Sequence, residues 1–202
     1  IPGQVVRYFE TSAGMLCDPA DAASVTCSTL VTLEGTQTSS FWAVSSYGDT
    51  SLMRSYSWKL DASAPANTSS SPVPSGANGW YVANLNISLS GTDATSGIDP
   101  SRFRYQLNGG TWQNGTGLSI TTDGVHTVNT EAYDLAGNVA AQAVTIRLDK
   151  TPPTVSPVSA GTLQNGWYNT PVSNQANAAD ATSGIASVEH QVNGGAWQPG
   201  AN

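Results

Sequence analysis

The chain has 202 residues, of which only 10% are charged, and its formal net charge is −7. A nucleic-acid-binding surface needs clustered basic side chains, which this composition lacks, and the same deficit disfavours electrostatic binding to anionic membranes. No apolar run approaches the ~18 residues that a transmembrane helix needs. The sequence begins at Ile1 without a signal-like stretch, which suggests a trimmed mature chain or an excised piece.

Short stretches of alternating apolar and polar residues recur along the chain. Residues 85–90, 103–107 and 144–149 show this period of two, and turn-forming dipeptides such as Asn108-Gly109 separate such stretches. A period of two with one apolar face is typical of half-buried antiparallel strands, and no window shows a sustained helical period. The sequence therefore predicts an all-β protein.

An internal repeat organises the sequence. Residues 78–98 return at 165–185 with an offset of 87, and residues 56–65 resemble residues 144–153 with an offset of 88. A period of this length matches one small β-sandwich domain. We expect tandem immunoglobulin-like antiparallel β-sandwiches, namely one complete module at 64–151 flanked by partial modules at 1–63 and 152–202.

The strands of the complete module follow from the same pattern. We expect strand A near Thr68–Pro74, B at Asn84–Gly91, C at Arg102–Leu107, C′ at Thr111–Gln113, E at Gly117–Thr121, F at Val125–Asp134 and G at Ala141–Asp149. The first partial module supplies C (Val5–Phe9), E, F and G, and the last supplies A, B, C and C′. The chain is thus expected to begin and end within a module.

Several motifs together resemble bacterial immunoglobulin-like repeats of secreted and cell-surface proteins. They are NGWY at 78–81, D-x-T-S-G-I at 93–98, N-G-G-x-W at 108–112, A-Y-D-x-A-G-N at 132–138 and L-D-K-T-P-P at 148–153. The resemblance implies tandem modules that serve as stalks, adhesin arms or spacers outside the cell. The last module departs from the pattern, since Asn174 and Ala176 replace Ile87 and Leu89.

These features favour a structural element of an extracellular or cell-surface filament or stalk. The two partial modules together contain every strand of one module, with strand C duplicated, so we expect copies to join head-to-tail by strand complementation. Two alternatives remain open: an adhesive or carbohydrate-binding module, in which exposed Trp112 would contact the sugar, and a spacer domain of a secreted hydrolase.

Catalytic machinery is not evident, and no catalytic or cofactor-binding residue is predicted. No G-x-S-x-G or H-E-x-x-H motif occurs. The two histidines, His126 and His190, are expected to be inward-facing strand residues with hydrogen-bonded rings. We do not expect an enzyme.

Aspartates occur at predicted strand ends and turns, where their carboxylates are expected to accept backbone hydrogen bonds; they are Asp93, Asp99, Asp123, Asp134 and Asp149. The alternative is a structural calcium site, in which Asp149 at the module junction joins Asp93 or Asp134. Apart from this possible calcium ion, no cofactor is expected.

Cys17 and Cys27 match neither a zinc-binding nor a redox spacing, and we interpret them as a disulfide, which implies an oxidising compartment. Recurring aromatic residues are expected to serve packing within each module, and Trp42, Tyr56 and Trp58 to fill the core of the first one. Sequons at Asn67, Asn86 and Asn114 permit N-glycosylation.

Overall fold

The computed structural model describes residues 5–10, 32–45 and 48–200. Within that part the only helical element is one 3₁₀ turn at Ala77–Gly79, and the rest is strand or connecting loop, which confirms the all-β prediction. None of its described elements is a helix long and apolar enough to cross a membrane. The chain divides into two compact units, one of residues 1–66, 92–99 and 133–140, the other of residues 67–91, 100–132 and 141–202.

The first unit contains a three-stranded antiparallel sheet. Its order is β1-β2-β3, with β1 at Val5–Glu10, β2 at Gly35–Ser45 and β3 at Arg54–Leu60. Phe9 pairs with Phe41, and Gln37 pairs with Trp58, so alternate residues of β2 share a face with alternate residues of β3. β3 has β2 as its one neighbour in this sheet and therefore forms its edge.

Residues 66–148 form nine strands. They are β4 (Ala66–Asn67), β5 (Trp80–Tyr81), β6 (Leu85–Ser88), β7 (Gly91–Thr92), β8 (Arg104–Leu107), β9 (Gln113–Asn114), β10 (Gly117–Ile120), β11 (Gly124–Tyr133) and β12 (Val139–Leu148). The pairs β6–β10 and β4–β7 are separate ladders, and the other five strands form a sheet of order β5-β12-β11-β8-β9.

These sheets are sandwich-like and enclose the core of the second unit. Side chains alternate between buried and exposed along β6, β10 and β11, as expected for strands with one apolar face. The buried apolar residues are Tyr81, Leu85, Ile87, Leu89, Phe103, Leu118, Ile120, Val128, Ala132, Ile146 and Leu148. The predicted strands B, C, E, F and G therefore correspond to observed strands, with ends shifted by a few residues.

Strand C′, predicted at Thr111–Gln113, is observed as β9 at Gln113–Asn114 and overlaps the prediction at one residue. Two further features differ from the expected strand pattern. Strand A, predicted near Thr68–Pro74, is reduced to β4 and an isolated bridge between Ser70 and Ser88, because prolines in this stretch cannot donate to a ladder. The short strand β5 was not predicted. It pairs in parallel with β12, with Trp80 opposite Arg147 and Tyr81 opposite Leu148.

Residues 154–199 form three separate two-stranded ladders. The strands are β13 (Thr154–Ala160), β14 (Leu163–Gln164), β15 (Trp167–Tyr168), β16 (Ser173–Ala179), β17 (Glu189–His190) and β18 (Gln198–Pro199). β13 pairs with β16, β14 with β15, and β17 with β18, all antiparallel. Almost every side chain of these six strands is exposed.

Asn-Gly turns recur at equivalent positions of the repeat. Asn108 and Gly109 have φ values of 51° and 70°, and Asn193 and Gly194 have φ values of 52° and 71°. Positive φ at two successive residues is the type I′ geometry, which Asn-Gly adopts readily. The predicted turn at Asn108 is confirmed, and the backbone of residues 191–195 reproduces it one repeat later.

Candidate functional site

The loop after β7 is organised by a single carboxylate. Asp93 Oδ1 accepts hydrogen bonds from the backbone N–H groups of Thr95, Ser96 and Gly97, at 3.0, 2.9 and 2.9 Å. Gly97 has a φ of 85°, which a residue with a side chain rarely adopts. The D-x-T-S-G sequence thus folds around its own aspartate, which confirms the predicted role of Asp93 in a turn.

The same loop is tied to the segment that follows β3. The Ser96 N–H also donates to Asp61 Oδ2 at 3.0 Å, so one backbone donor is shared by two carboxylates. Asp61 Oδ1 accepts in addition from the Ser63 N–H at 3.2 Å, which makes a local turn of residues 61–63.

Asp134 is 1% exposed and lies in the turn between β11 and β12. Its Oδ1 accepts from the backbone N–H groups of Gly137 and Asn138, and its Oδ2 accepts from the Asn138 side-chain amide. Burial raises the pKa of the Asp134 carboxyl, but the hydrogen bonds from Asn138 and Gly137 outweigh it and hold the pKa below its ordinary value. The A-G-N sequence supplies these donors.

Asp61, Asp93 and Asp134 form one group, with a carboxylate oxygen of each within 4.8 Å of the others. Carboxylate oxygens are the ligands that Ca²⁺ prefers, so these are the described residues that could jointly hold a divalent cation. The sequence predicted that Asp149 joins either Asp93 or Asp134 in such a group, whereas the observed group contains both Asp93 and Asp134 and not Asp149. Asp61, which precedes Asp149 by one repeat, occupies that place instead.

Asp149 takes part in an equivalent arrangement one repeat later. The Ser183 N–H donates to Asp149 Oδ2 at 3.0 Å and to Asp180 Oδ1 at 2.8 Å, as Ser96 does with Asp61 and Asp93. A hydrogen bond from the Gly184 N–H contributes most to lowering the pKa of Asp180. The segments that follow β3 and β12, which the sequence repeat aligns, therefore share one hydrogen-bonding pattern.

Asp123 caps the segment that follows β12. It accepts from the Lys150 N–H at 3.0 Å and from the Thr151 hydroxyl at 2.6 Å. The Thr151 hydrogen bond is the main cause of a lowered pKa at Asp123. The expectation that Asp123 accepts backbone hydrogen bonds is confirmed.

A cleft of about 370 Å³ lies in the first unit at the end of β3. Its lining combines a single basic side chain, Lys59, with the carboxylate of Asp61 and two leucines. The lining residues are Gly35, Thr36, Lys59, Leu60, Asp61, Thr95, Ser96, Leu135 and Ala136. Small and hydroxyl-bearing residues dominate it, so it is an open groove with a mixed polar and apolar lining at the end of β3.

The apolar positions that build the core of residues 80–148 are exposed in the next repeat. Tyr81 is 7% exposed and Leu85 is 2% exposed, whereas their equivalents Tyr168 and Val172 are 41% and 38% exposed. Trp167, the equivalent of half-buried Trp80, is 80% exposed. The remaining exposed apolar residues of this segment include Val155, Val158, Leu163, Ile185, Val192 and Trp197.

The two histidines differ. His126 is buried; its Nε2 donates to the Thr122 carbonyl at 2.8 Å, and its Nδ1 accepts from the Asn108 side-chain amide at 3.1 Å. The prediction is therefore confirmed for His126. It is wrong for His190, which is exposed in β17, because nothing described packs over the ladder that β17 makes with β18.

Trp112 is partly covered by a cation. The Arg104 guanidinium carbon lies 4.8 Å from the centroid of the Trp112 ring, and Arg104 Nε binds Glu131 at 2.6 Å. Arg104 and Glu131 are opposite residues of β8 and β11, so strand register brings the pair together. One face of Trp112 is thus occupied, although the residue remains exposed at the surface.

The aromatic residues of the first sheet do not share a core. Tyr56 and Trp58 lie on one face of β3, with ring centroids 6.5 Å apart, and Tyr56 is mostly exposed. Trp42 lies on the opposite face, because Trp58 pairs with Gln37, an odd-numbered residue of β2. The expectation that all three fill one core is wrong for this reason.

The asparagines of the three sequons also differ in their exposure to solvent. The Asn67 amide donates to the Thr130 carbonyl and hydroxyl and is partly buried, whereas Asn86 and Asn114 are exposed. Cys17 and Cys27 lie outside the described residues, and so does the disulfide predicted between them.

Comparison of the sequence with protein-family models and with curated proteins finds no match in either.

Proposed function

We propose that this chain is a structural repeat of an extracellular or cell-surface filament or stalk, without catalytic activity. Its tandem immunoglobulin-like sandwiches comprise a complete module at 64–151 and partial modules at 1–63 and 152–202. Copies join head-to-tail when the partial module at the end of one chain is completed by strands from the start of the next.

The observation that carries this proposal is the exposure of repeat positions that are buried elsewhere in the same chain. Tyr168 and Val172 expose apolar side chains whose equivalents Tyr81 and Leu85 are core residues. Exposed apolar side chains at positions that another repeat buries indicate an interaction surface. The covering strands of the complete module are β10, β11 and β12, so a suitable partner must offer strands like these.

The sheet β1-β2-β3 offers such strands. β2 and β3 lie one repeat before β11 and β12, and β1 pairs with β2 as β8 pairs with β11. Trp58 and Leu60 are half-buried on β3, whereas their equivalents Ile146 and Leu148 are fully buried. In both partial modules, apolar side chains that correspond to core residues of the complete module therefore remain partly exposed to solvent.

The edge of β3 supplies a specific pairing. In the complete module Trp80 and Tyr81 pair in parallel with Arg147 and Leu148 of β12. By the repeat offsets, the corresponding pairs join Trp167 and Tyr168 of one copy to Lys59 and Leu60 of the next. Exposed sheet edges carry unpaired backbone groups that readily accept such a strand.

Charge favours the same partner. Residues 152–200 contain Asp180 and Glu189 and no Lys or Arg, and the edge strand β3 contains Arg54 and Lys59 and no Asp or Glu. Complementary charge increases the rate and the specificity of association.

The assembly contains one strand more than a complete module needs. Because β17 duplicates the position that β1 takes beside β2, β17 lies at a sheet edge in the assembly.

Mixing two variants, each with one cysteine added to the native Cys17 and Cys27, tests this pairing. Lys59→Cys chains and Trp167→Cys chains are combined under mild oxidation, so a linked dimer between positions 59 and 167 forms only between copies. Val73→Cys replaces Trp167→Cys in the matched control, because Val73 is 86% exposed and lies outside the proposed contact. Preferential linkage of 59 to 167, mapped by mass spectrometry, supports the proposal, and equal yields with the control contradict it.

Carbohydrate binding is the second candidate, and the exposed rings of Trp167 and Trp197 favour it. Aromatic faces that remain in contact with water can stack on other flat or apolar groups. Saturable binding to a polysaccharide that is lost with Trp112→Ala, Trp167→Ala or Trp197→Ala would support this candidate. Unchanged binding in all three variants would exclude these rings as its site.

A further inference from the structure

Two residues on the inward face of β3 are larger than the residues they replace. By the offset of 88, Tyr56 stands where the complete module has Val144, and Trp58 stands where it has the buried Ile146. Their opposite partners on β2 are Ser39 and Gln37, which are too small or too polar to cover two aromatic rings.

Two residues of β16 are correspondingly smaller or more polar. By the offset of 87, Asn174 stands where the complete module has Ile87, and Ala176 stands where it has Leu89. Ile87 and Leu89 are both buried in the complete module, whereas Asn174 and Ala176 are exposed. The second partial module therefore has space in the part of its core that strand B normally occupies.

These two departures are reciprocal, and we propose that they determine the specificity of the head-to-tail contact. Tyr56 and Trp58 of the next copy occupy the volume that Asn174 and Ala176 leave in the copy before it. The inference rests on the proposed function and adds the residues that select the partner. A core accepts several substitutions together when its total volume and pattern are kept, whereas an unmatched change costs stability.

A second copy of this chain is the occupant that these residues specify. A strand like β12 would bring Val144 and Ile146 against the smaller side chains of β16, and would leave part of that space empty. The enlarged side chains occur on β3 of the same chain that carries the reduced ones, beside the complementary charges of Arg54 and Lys59. Such matching also disfavours pairing of either partial module with the complete one.

Reciprocal substitution tests the inference on the full chain. The first variant carries Tyr56→Val and Trp58→Ile, the second carries Asn174→Ile and Ala176→Leu, and the third carries all four and so restores the residues of the complete module. Tyr56, Asn174 and Ala176 are exposed in the isolated chain, so the second variant keeps the fold of the monomer, which circular dichroism checks. Sedimentation velocity gives the dissociation constant of each.

We expect each of the first two variants to associate about tenfold or more weakly than the wild type. The third variant, with all four substitutions, should recover most of this loss of affinity. If wild-type chains associate and neither paired change alters the dissociation constant, the size-matching inference is overturned while head-to-tail assembly stands. If the wild-type chain does not associate at all, the proposed function fails and the inference fails with it.

Discussion

Tyr81 and Tyr168 occupy the same position of two successive repeats, yet Tyr81 is 7% exposed and Tyr168 is 41% exposed. The hydroxyl of Tyr81 donates to the Pro72 carbonyl at 2.6 Å, and its strand pairs with β12. Tyr168 pairs only with Leu163 in a short hairpin. The difference arises from the strands around each residue, because the local sequence NGWY is identical.

This contrast predicts unequal effects of the same substitution. Tyr81→Ala should lower the free energy of unfolding by about 3–5 kcal/mol, because a buried aromatic ring and its hydrogen bond are lost. Tyr168→Ala should change it by less than about 0.5 kcal/mol in dilute solution, where the side chain contacts mainly water. Urea denaturation of both variants provides the measurement. Similar losses in the two variants would mean that residues 154–199 are covered within a single chain.

The loop at residues 93–97 should depend on the carboxylate of Asp93. Asp93→Ala removes the acceptor of three backbone N–H groups and should lower the free energy of unfolding by about 1–3 kcal/mol. Asp93→Asn retains one acceptor oxygen and should cost less. Thr95→Ala is the matched control, since Thr95 is exposed in the same loop. Denaturation curves in which Asp93→Ala and Thr95→Ala coincide would contradict this role.

Asp134 should make stability depend on acid pH. Its pKa in the folded state lies below the value of 3.8 expected for the unfolded chain, so its contribution is complete above that value. The contribution is lost as the pH falls through the lower, folded-state pKa, because protonation then removes the charged acceptor. Asp134→Asn should therefore flatten the acid limb of a plot of unfolding free energy against pH. An acid limb as steep as that of the wild type would assign the dependence to Asp180 and Asp123 instead.

Equivalent Asn-Gly turns should differ in chemical stability. Deamidation requires the following backbone nitrogen to attack the side-chain carbonyl carbon, with loss of ammonia and later hydrolysis of the succinimide by water. Asn108 is restrained, since its amide contacts His126 and its carbonyl accepts from the Thr127 N–H. The structure gives Asn193 no such side-chain hydrogen bond among the described residues. Peptide mapping after storage at mildly alkaline pH should show faster conversion at Asn193, and equal rates would contradict the restraint at Asn108.

Much of the complete repeat could be predicted from its sequence, because strand alternation and Asn-Gly turns are local signals. Leu85 and Ile87 alternate with polar neighbours and are buried, as predicted. The parallel pairing of β5 with β12 could not be predicted in this way, because two residues carry no periodic pattern and their partner lies far along the chain. Sequence patterns identify a strand more readily than its neighbour.

The carboxylate group illustrates the same limit. Asp93 and Asp134 were predicted in turns, and both occur there. Asp61 was missed as their neighbour because the contact joins segments more than 30 residues apart, as the hydrogen bond of Ser96 to Asp61 shows. The repeat contains a usable signal, since Asp61 and Asp149 are separated by 88 residues and begin equivalent junctions.

The exposure of His190 shows what position within a repeat cannot determine. His190 occupies the place of half-buried Tyr105, and equivalence alone predicted an inward-facing side chain. Burial depends on the strands that pack against a residue from outside its own segment, so equivalent residues of the two repeats differ in solvent exposure.

Sedimentation equilibrium of the full chain over a wide range of concentration tests head-to-tail assembly most directly. A contact between two different surfaces leaves one of each free on every oligomer, so growth continues beyond the dimer. We expect the weight-average mass to rise with concentration without levelling at two chains. Lys59→Glu, which places a negative charge on the edge strand that meets the acidic segment 152–200, should reduce the rise. A mass equal to one chain at every concentration, or one that stops at the dimer, would contradict open head-to-tail assembly.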